Sequence, residues 1–402
     1  MPLKTIMPIL IVLIMLVAGC DDEDKKSHSV SVKQVQKTNP TKVYMHYMPW
    51  FQSKEITGYW GSHWKMKNRN PDIMDDSGKR EIASHYYPLI GPYDSKDSDV
   101  LKYHVLLMKY AGVDGLLIDW YGSHNVYDYR ANLTGTNAII KEATTVGLQF
   151  GIVYEEYVAG NIANTTSKTA LQAAQADLQY AEKEYFSKPE YIHINNAPLL
   201  LTFGPRYFKV STQWIEIFSA LRNKPTFIPL WNHAGLVGTT GNGEFAWVDF
   251  NESLKDLTSF YNKVHLEVSI GSAYPRFHDY YEEGGEGTSY GYVDAHEGAT
   301  FSNTLAKATE RKAKYLQLVT WNDYGEGTVL EPTQEDGFLF LTMLQEFTGV
   351  PYGERELVMI HDYYQKLKEH KSNGEHASTL QKIFDHLNAL EVEQARQLLE
   401  TL

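Results

Sequence analysis

The chain has 402 residues, 43% of them apolar, enough for one large domain with additions or for two domains. Its net charge of −13 argues against nucleic acid as a partner, because such binding favours basic patches. Aromatic residues reach 13%, with 28 Tyr and 8 Trp; their faces suit sugar rings, although large barrels are often aromatic-rich too.

Residues 1–20 read as a signal segment. Lys4 supplies the basic start, Ile6 to Val17 the apolar run, and Val17-Ala18-Gly19-Cys20 the cleavage site. The run is too short for a spanning helix. Cys20 is the sole cysteine, so the mature chain forms no internal disulfide. A lone cysteine after Ala-Gly resembles a bacterial lipobox. That implies lipidation of Cys20 and a membrane partner reached through the lipid; the alternative is an ordinary secretion signal with a chance cysteine. The run Asp21-Asp22-Glu23-Asp24 resembles the surface-export signal of Bacteroidetes lipoproteins, or else is a solvated charged linker. The expected location is the outer membrane, at the cell surface or on the periplasmic face. Residues 21–41 read as a flexible, polar tether.

Strand candidates then alternate with helical patterns. The strands are Lys42 to Trp50, Val113 to Tyr121, Gln149 to Tyr157, Pro198 to Phe203, Thr226 to Trp231, Phe245 to Phe250, Val264 to Ile270 and Tyr315 to Thr320. Leu171, Ala174, Leu178, Ala181 and Tyr185 repeat at helical spacing, as do residues around Ala138 to Ala143 and Leu305 to Ala313. Eight strands with interposed helices predict an α/β fold, a (β/α)8 TIM barrel over residues 42–350 with long loops at 51–100 and 272–298. An open doubly wound sheet is disfavoured, since no glycine-rich phosphate fingerprint follows an early strand. Residues 351–402 are predicted as a helical C-terminal appendix packed on the barrel.

A barrel places its active site at the C-terminal strand ends. The residues there are Tyr47 and Trp50; Asp119, Trp120 and Tyr121; Tyr154, Glu155, Glu156 and Tyr157; Arg206; Trp231, Asn232 and His233; Asp249 and Asn251; Tyr274; and Asp323 with Glu326. Acids, aromatics, an amide and a histidine on one rim are the inventory of a carbohydrate pocket. Asp119 reads either as a third acid or as a salt-bridged barrel residue, and Asp114 as structural. His63, His233 and His278 show no ligand spacing that would imply a metal, and no cofactor is expected.

The densest stretch is Leu318 to Thr333. Trp321, Asn322, Asp323, Tyr324 and Glu326 crowd behind the last strand, with Gly325 and Gly327 free to turn. On a helical turn Asp323 and Glu326 would share one face, their Cβ atoms roughly 5–6 Å apart. Two facing carboxylates are the working pair of glycoside hydrolysis; the plain alternative is a strand end with Asp323 as a turn residue.

Trp321-Asn322-Asp323-Tyr324-Gly325-Glu326 resembles the signature of glycoside hydrolase family 71. Gly325-Glu326-Gly327-Thr328, followed by Glu331-Pro332, resembles the matching segment of family 99, the endo-α-mannosidases, so the chain looks like a family 71/99-like protein. Further family-like patches are Tyr47-Met48-Pro49-Trp50, Trp60-Gly61-Ser62-His63-Trp64, Tyr86 to Tyr93 and Ala111 to Gly115. The resemblance implies sugar contacts for His63, Trp120 and Glu155, with Glu156 the less favoured of the two neighbouring acids. It implies that Glu326 protonates the leaving oxygen and that Asp323, which stands where family 99 has Glu, takes a proton from the sugar's 2-hydroxyl or from a water. Glu331 is expected to orient the turn.

The function expected is hydrolysis of α-linked glycans, α-mannoside or a related oligo- or polysaccharide, by a monomer. Asp323 and Glu326 are the catalytic candidates. Tyr47, Trp50, His63, Asp119, Trp120, Glu155, Trp231, His233, Tyr274, Trp321 and Asn322 are the substrate-binding candidates. The alternatives are an exo-acting xylosidase or arabinosidase, an α-glucanase, and a surface glycan-binding lipoprotein without catalysis.

Overall fold

The computed structural model describes residues 32–371 and 374–402; Cys20, the signal segment and most of the expected tether lie outside them. Eight barrel strands follow in chain order: β1 (Lys42–Tyr47), β2 (Gly115–Trp120), β3 (Gln149–Tyr154), β4 (Ala197–Thr202), β5 (Thr226–Pro229), β6 (Gly243–Phe245), β7 (Val268–Ala273) and β8 (Tyr315–Leu318). All pair in parallel. β1 lies between β2 and β8, with Tyr44 opposite both Gly115 and Gln317. The ladder runs from β2 through β5 and from β6 through β8. β5 and β6 meet at a bridge of Leu230 with Phe245, where the Trp231 N–H donates to the Phe245 carbonyl at 2.8 Å. The sheet thereby closes on itself as the expected (β/α)8 barrel.

The strands are mostly apolar because both faces are covered; all six residues of β2 are buried, Asp119 among them. The outer layer is α1 (Ser98–Tyr110), α2 (Tyr129–Thr145), α3 (Ala170–Ala181), α4 (Ser211–Phe218), α5 (Lys255–Tyr261), α6 (Ala299–Glu310) and α7 (Leu339–Thr348). Their starts are written in the sequence. Asp97 caps α1 by accepting the Asp99 N–H, and Thr169 with Gln172 forms a capping box on α3.

Three expectations shift. The sixth strand ends at Phe245, because Asp249 turns to accept the N–H groups of Asn251 and Leu257 at 2.9 and 2.8 Å. The seventh begins at Val268, because Val264 to Glu267 form the exposed link from α5; Val264 is 97% exposed. Within the expected tether, residues 34–41 are docked under the barrel. Lys37 pairs with Asp114, Asn39 Nδ2 donates to the Phe347 carbonyl at 2.9 Å, and Gln34 Nε2 donates to the Gly147 carbonyl at 2.8 Å. Asp114 also receives Lys42 and the Val43 N–H, which is a structural role.

The tail forms α8 (Glu354–Glu369), α9 (Ala377–Asn388) and α10 (Val392–Leu399). It packs on α1: Tyr110 Oη donates to the Leu387 carbonyl at 2.9 Å, and buried Lys109 donates to the Asn388 carbonyl and Oδ1.

Candidate active site

The loops at the strands' C-terminal ends enclose a cavity of about 510 Å³. Strand geometry decides which side chains reach it, since successive residues face opposite sides of a sheet. His46 of β1 and Asp119 of β2 face inward and line it, and Glu155 follows in the same phase as Val153. Asp323 and Glu326 arrive from the turn after β8, and Arg206 from the loop after β4. Trp50, Trp247, Tyr281 and Tyr290 supply aromatic wall.

The turn after β8 is held by its own hydrogen bonds rather than by a helix. Thr320 Oγ1 accepts the Asp323 N–H at 2.8 Å, and Asp323 Oδ1 accepts the Glu326 N–H at 2.9 Å. The chain then folds back, the Glu331 N–H donating to the Trp321 carbonyl at 2.9 Å. Gly327 sits at φ +68°, where a Cβ would come within 2.6 Å of the His278 carbonyl oxygen. Beneath the turn lies a buried network. Asn322 Oδ1 accepts the Met48 N–H at 2.8 Å and Nδ2 donates to Tyr93 Oη at 3.0 Å; Tyr93 Oη donates to Glu331 Oε2 at 2.8 Å, and Glu331 Oε1 lies 3.0 Å from His104 Nε2. Glu331 thus orients the turn from below.

Burial and charge separate the acids. Burial pushes the Asp323 carboxyl up to about 6, against the pull of the Glu326 and Gly325 N–H groups and the His63 ring. Burial and the Asp323 charge push Glu326 well above the usual carboxylate range, opposed by Arg206. Near neutral pH the proton therefore sits on Glu326 and the charge on Asp323. Tyr281 Oη donates to Glu326 Oε1 at 3.4 Å, while Oε2 is buried without a partner among the described residues. Burial also raises Glu155 to about 8, and raises Asp119 well above its usual range with help from the Glu155 charge. Asp119 Oδ2 and Glu155 Oε2 are likewise buried and unpartnered, which suits groups that meet hydroxyls of a ligand. Burial holds His46 down at about 4, hence neutral. Among the described residues no cluster of His, Cys, Asp or Glu forms a metal site.

Asp323, Glu326, Trp50, His63, Asp119 and Glu155 line one cavity. Trp50 and His63 stack at 4.1 Å between ring centroids. The other seven candidates lie elsewhere. Tyr47 and Trp120 stand one residue out of phase with His46 and Asp119. Tyr47 therefore meets His104 of α1 at 3.2 Å, and Trp120 packs with Tyr154, Tyr180 and Tyr185 in the outer layer. Trp231 packs on Phe260, and His233 Nδ1 lies 2.9 Å from the Trp231 carbonyl oxygen. Tyr274 is fully buried, its Oη donating to the Asp249 carbonyl at 3.0 Å. Trp321 lies under the folded-back turn against His104, and Asn322 belongs to the buried network. Glu156 faces away, its carboxylate accepting the N–H groups of Arg206, Tyr207 and Phe208. Sequence reasoning missed His46, Trp247, Tyr281 and Tyr290. Strand phase would have found His46; the two tyrosines sit on an irregular loop with no periodic signal.

Residues 38–227 match the family model described as Glycosyl hydrolase family 99. A glycoprotein endo-alpha-1,2-mannosidase-like protein of Mus musculus is 30% identical over 88 residues, 20% of this chain and 19% of that protein. Its Homo sapiens namesake is 28% identical over 88 residues, again 20% and 19%. The matched segment thus spans about a fifth of these curated relatives. The solved GH99 endo-alpha-mannosidase of Bacteroides thetaiotaomicron superimposes with a TM-score of 0.61 at 18% identity, covering 76% of this chain and 96% of that one. A structure described as a glycoside hydrolase-like protein does so at 0.56 and 13%, covering 80% and 97%. At these identities the likeness is one of fold. Asp119 and Glu155 lie within the segment that matches the family 99 model, and the Asp323–Glu326 turn lies beyond it: the match covers the first half of a barrel that continues to the paired acids.

Proposed function

We propose that the chain is a glycoside hydrolase acting on α-linked mannose glycans, with Glu326 as general acid and Asp323 as its partner base. The observation that carries this is the placement of two buried acids on one turn lining one cavity: Asp323 Oδ1 accepts the Glu326 N–H, which favours charge on Asp323, while Glu326 Oε2 is buried without a partner among the described residues and its carboxyl is raised by burial and the Asp323 charge. Two carboxyls with separated proton affinities are what acid and base roles at one bond require. Glu326 would protonate the glycosidic oxygen as the bond to the anomeric carbon breaks. Asp323 would take the proton of the attacking hydroxyl, either the sugar's own 2-hydroxyl or a water. Protonated Asp119 and Glu155 would donate to sugar hydroxyls, and Trp50 stacked on His63 would cover one face of the ring. The match to the family 99 model and the endo-mannosidase names of the relatives support mannose as the sugar. The family 71-like Trp321 to Glu326 segment supports the Asp/Glu pair as a working variant.

The test is a screen of α-mannans, α-glucans and arabinoxylans with the chain and with Glu326→Gln. Products from the unsubstituted enzyme on α-mannosides alone are expected, and the anomer first released identifies the nucleophile. Turnover on another glycan moves the substrate class; equal turnover by Glu326→Gln overturns the assignment. We also propose that Cys20 is lipidated and holds a monomeric enzyme at the outer membrane, on the strength of Val17 to Cys20 and Asp21 to Asp24. Loss of membrane fractionation in Cys20→Ser is the expected result.

A further inference from the structure

The loop between β7 and α6, together with Phe250 from the loop between β6 and α5, presents an aromatic ridge outside the cavity. Phe250, Tyr290 and Tyr292 are 46%, 71% and 57% exposed. They are contiguous: Gly291 separates the two tyrosines, and a Cβ placed on it would lie 3.1 Å from the Phe250 ring. A single exposed aromatic needs no explanation, but three side by side mark a contact surface. The ridge begins at the cavity, which Tyr290 lines from a position 5.3 Å, ring to ring, from Tyr281.

Its rings are held in place. Buried Asp279 accepts the Tyr290 N–H at 2.7 Å and Ser289 Oγ at 3.0 Å. A two-residue ribbon pairs Tyr292 with His278 and Val293 with Phe277. Behind them, Phe250 meets Phe277 edge-on at 4.9 Å, and Tyr292 meets His278 likewise at 4.9 Å. At the outer edge Asp294 accepts Tyr292 Oη at 2.9 Å and is itself exposed to other donors. Fixed aromatic faces bordered by a carboxylate match a pyranose, whose C–H face is apolar and whose rim carries hydroxyl donors. Such rings give up little freedom on binding.

We propose that Phe250, Tyr290 and Tyr292 form an outer subsite that stacks a neutral sugar unit of the glycan chain whose reacting bond lies in the cavity. This rests on the glycoside hydrolase reading and deepens it, since it makes the enzyme select longer chains.

The test compares an α-mannobiose with an α-mannopentaose. Calorimetry with Glu326→Gln measures binding without turnover, and kcat/KM is measured in the active background. The pentaose is expected to bind about tenfold more tightly than the biose, and Tyr292→Ala and Phe250→Ala each to remove most of that advantage. The ratio of kcat/KM for pentaose over biose should fall by the same factor. Both side chains are exposed, so the variants are expected to fold, which thermal melts verify. Equal binding of the two glycans, or an advantage that survives both substitutions, overturns the subsite while leaving the hydrolase reading intact. Absence of both binding and turnover with either glycan overturns the α-mannan reading and the subsite with it.

Discussion

Asp323→Asn separates what the turn costs from what it does. The asparagine keeps an Oδ1 to accept the Glu326 N–H, so the turn survives. What disappears is a carboxylate that is 4% exposed. Folding raises this carboxyl from 3.8 to about 6, roughly two pH units, and at about 1.4 kcal/mol each that is about 3 kcal/mol. The sign follows from linkage. A carboxyl raised on folding binds its proton more tightly in the native state, so its charge destabilises the fold above pH 6. That penalty fades as pH falls from about 6 toward 4. Asp323→Asn should therefore be more stable than the parent by up to about 3 kcal/mol at pH 7.5, with the difference closing by pH 4. In the same variant kcat should fall by about 10²–10⁴, the usual contribution of a positioned base. Urea unfolding at pH 7.5 and pH 4, beside hydrolysis of an α-mannoside, measures both. A variant less stable than the parent at pH 7.5, a gap that does not narrow on acidification, or activity above a tenth of the parent would refute the reasoning.

Other expectations follow from the same geometry. The acid limb of the kcat profile should fall through about pH 6, where Asp323 takes its proton, and vanish from the residual activity of Asp323→Asn. Glu326→Gln should lose about 10²–10⁴ in kcat, and less on an aryl glycoside whose leaving group needs no proton. Tyr281→Phe removes the hydroxyl that favours ionised Glu326, so the alkaline limb should move to higher pH; a limb that moves down would exclude this contact from the acid's control. Glu331→Ala strands the buried His104 and Tyr93 partners and should destabilise the fold by roughly 3 kcal/mol, read by chemical denaturation.

The barrel was legible because its strands are short apolar runs between helical repeats, and the rim because acids and aromatics collect where those runs end. Phase was the part left unread. Taking Asp119 as inward-facing forces Trp120 outward, and His46 inward forces Tyr47 outward, so two misplaced aromatics follow from counting by twos. Trp321, Asn322 and Tyr274 fail for another reason. They sit where the chain folds back or crosses a neighbour, and long-range hydrogen bonds fix them: the Trp321 backbone to His46 and Glu331, Asn322 to Tyr93 and Met48, and Tyr274 to Asp249. Tyr281 and Tyr290 depend on a loop whose course is set by buried Asp279, a residue with no local pattern to announce it.

That loop has a consequence for how such an enzyme can be altered. The His278 N–H donates to the Glu326 carbonyl at 2.9 Å and the Tyr280 N–H to the Gly325 carbonyl at 2.8 Å. The same loop takes the Lys67 N–H on Gly284 and Arg69 on Tyr280. The segment that would meet the outer glycan is therefore stitched to the backbone of Gly325 and Glu326, the proposed proton donor, and to the Lys67–Arg69 stretch. On the proposed roles, selectivity and chemistry would not be modular: a transplanted loop would also disturb the backbone that carries Glu326, whereas single side-chain exchanges leave these contacts in place.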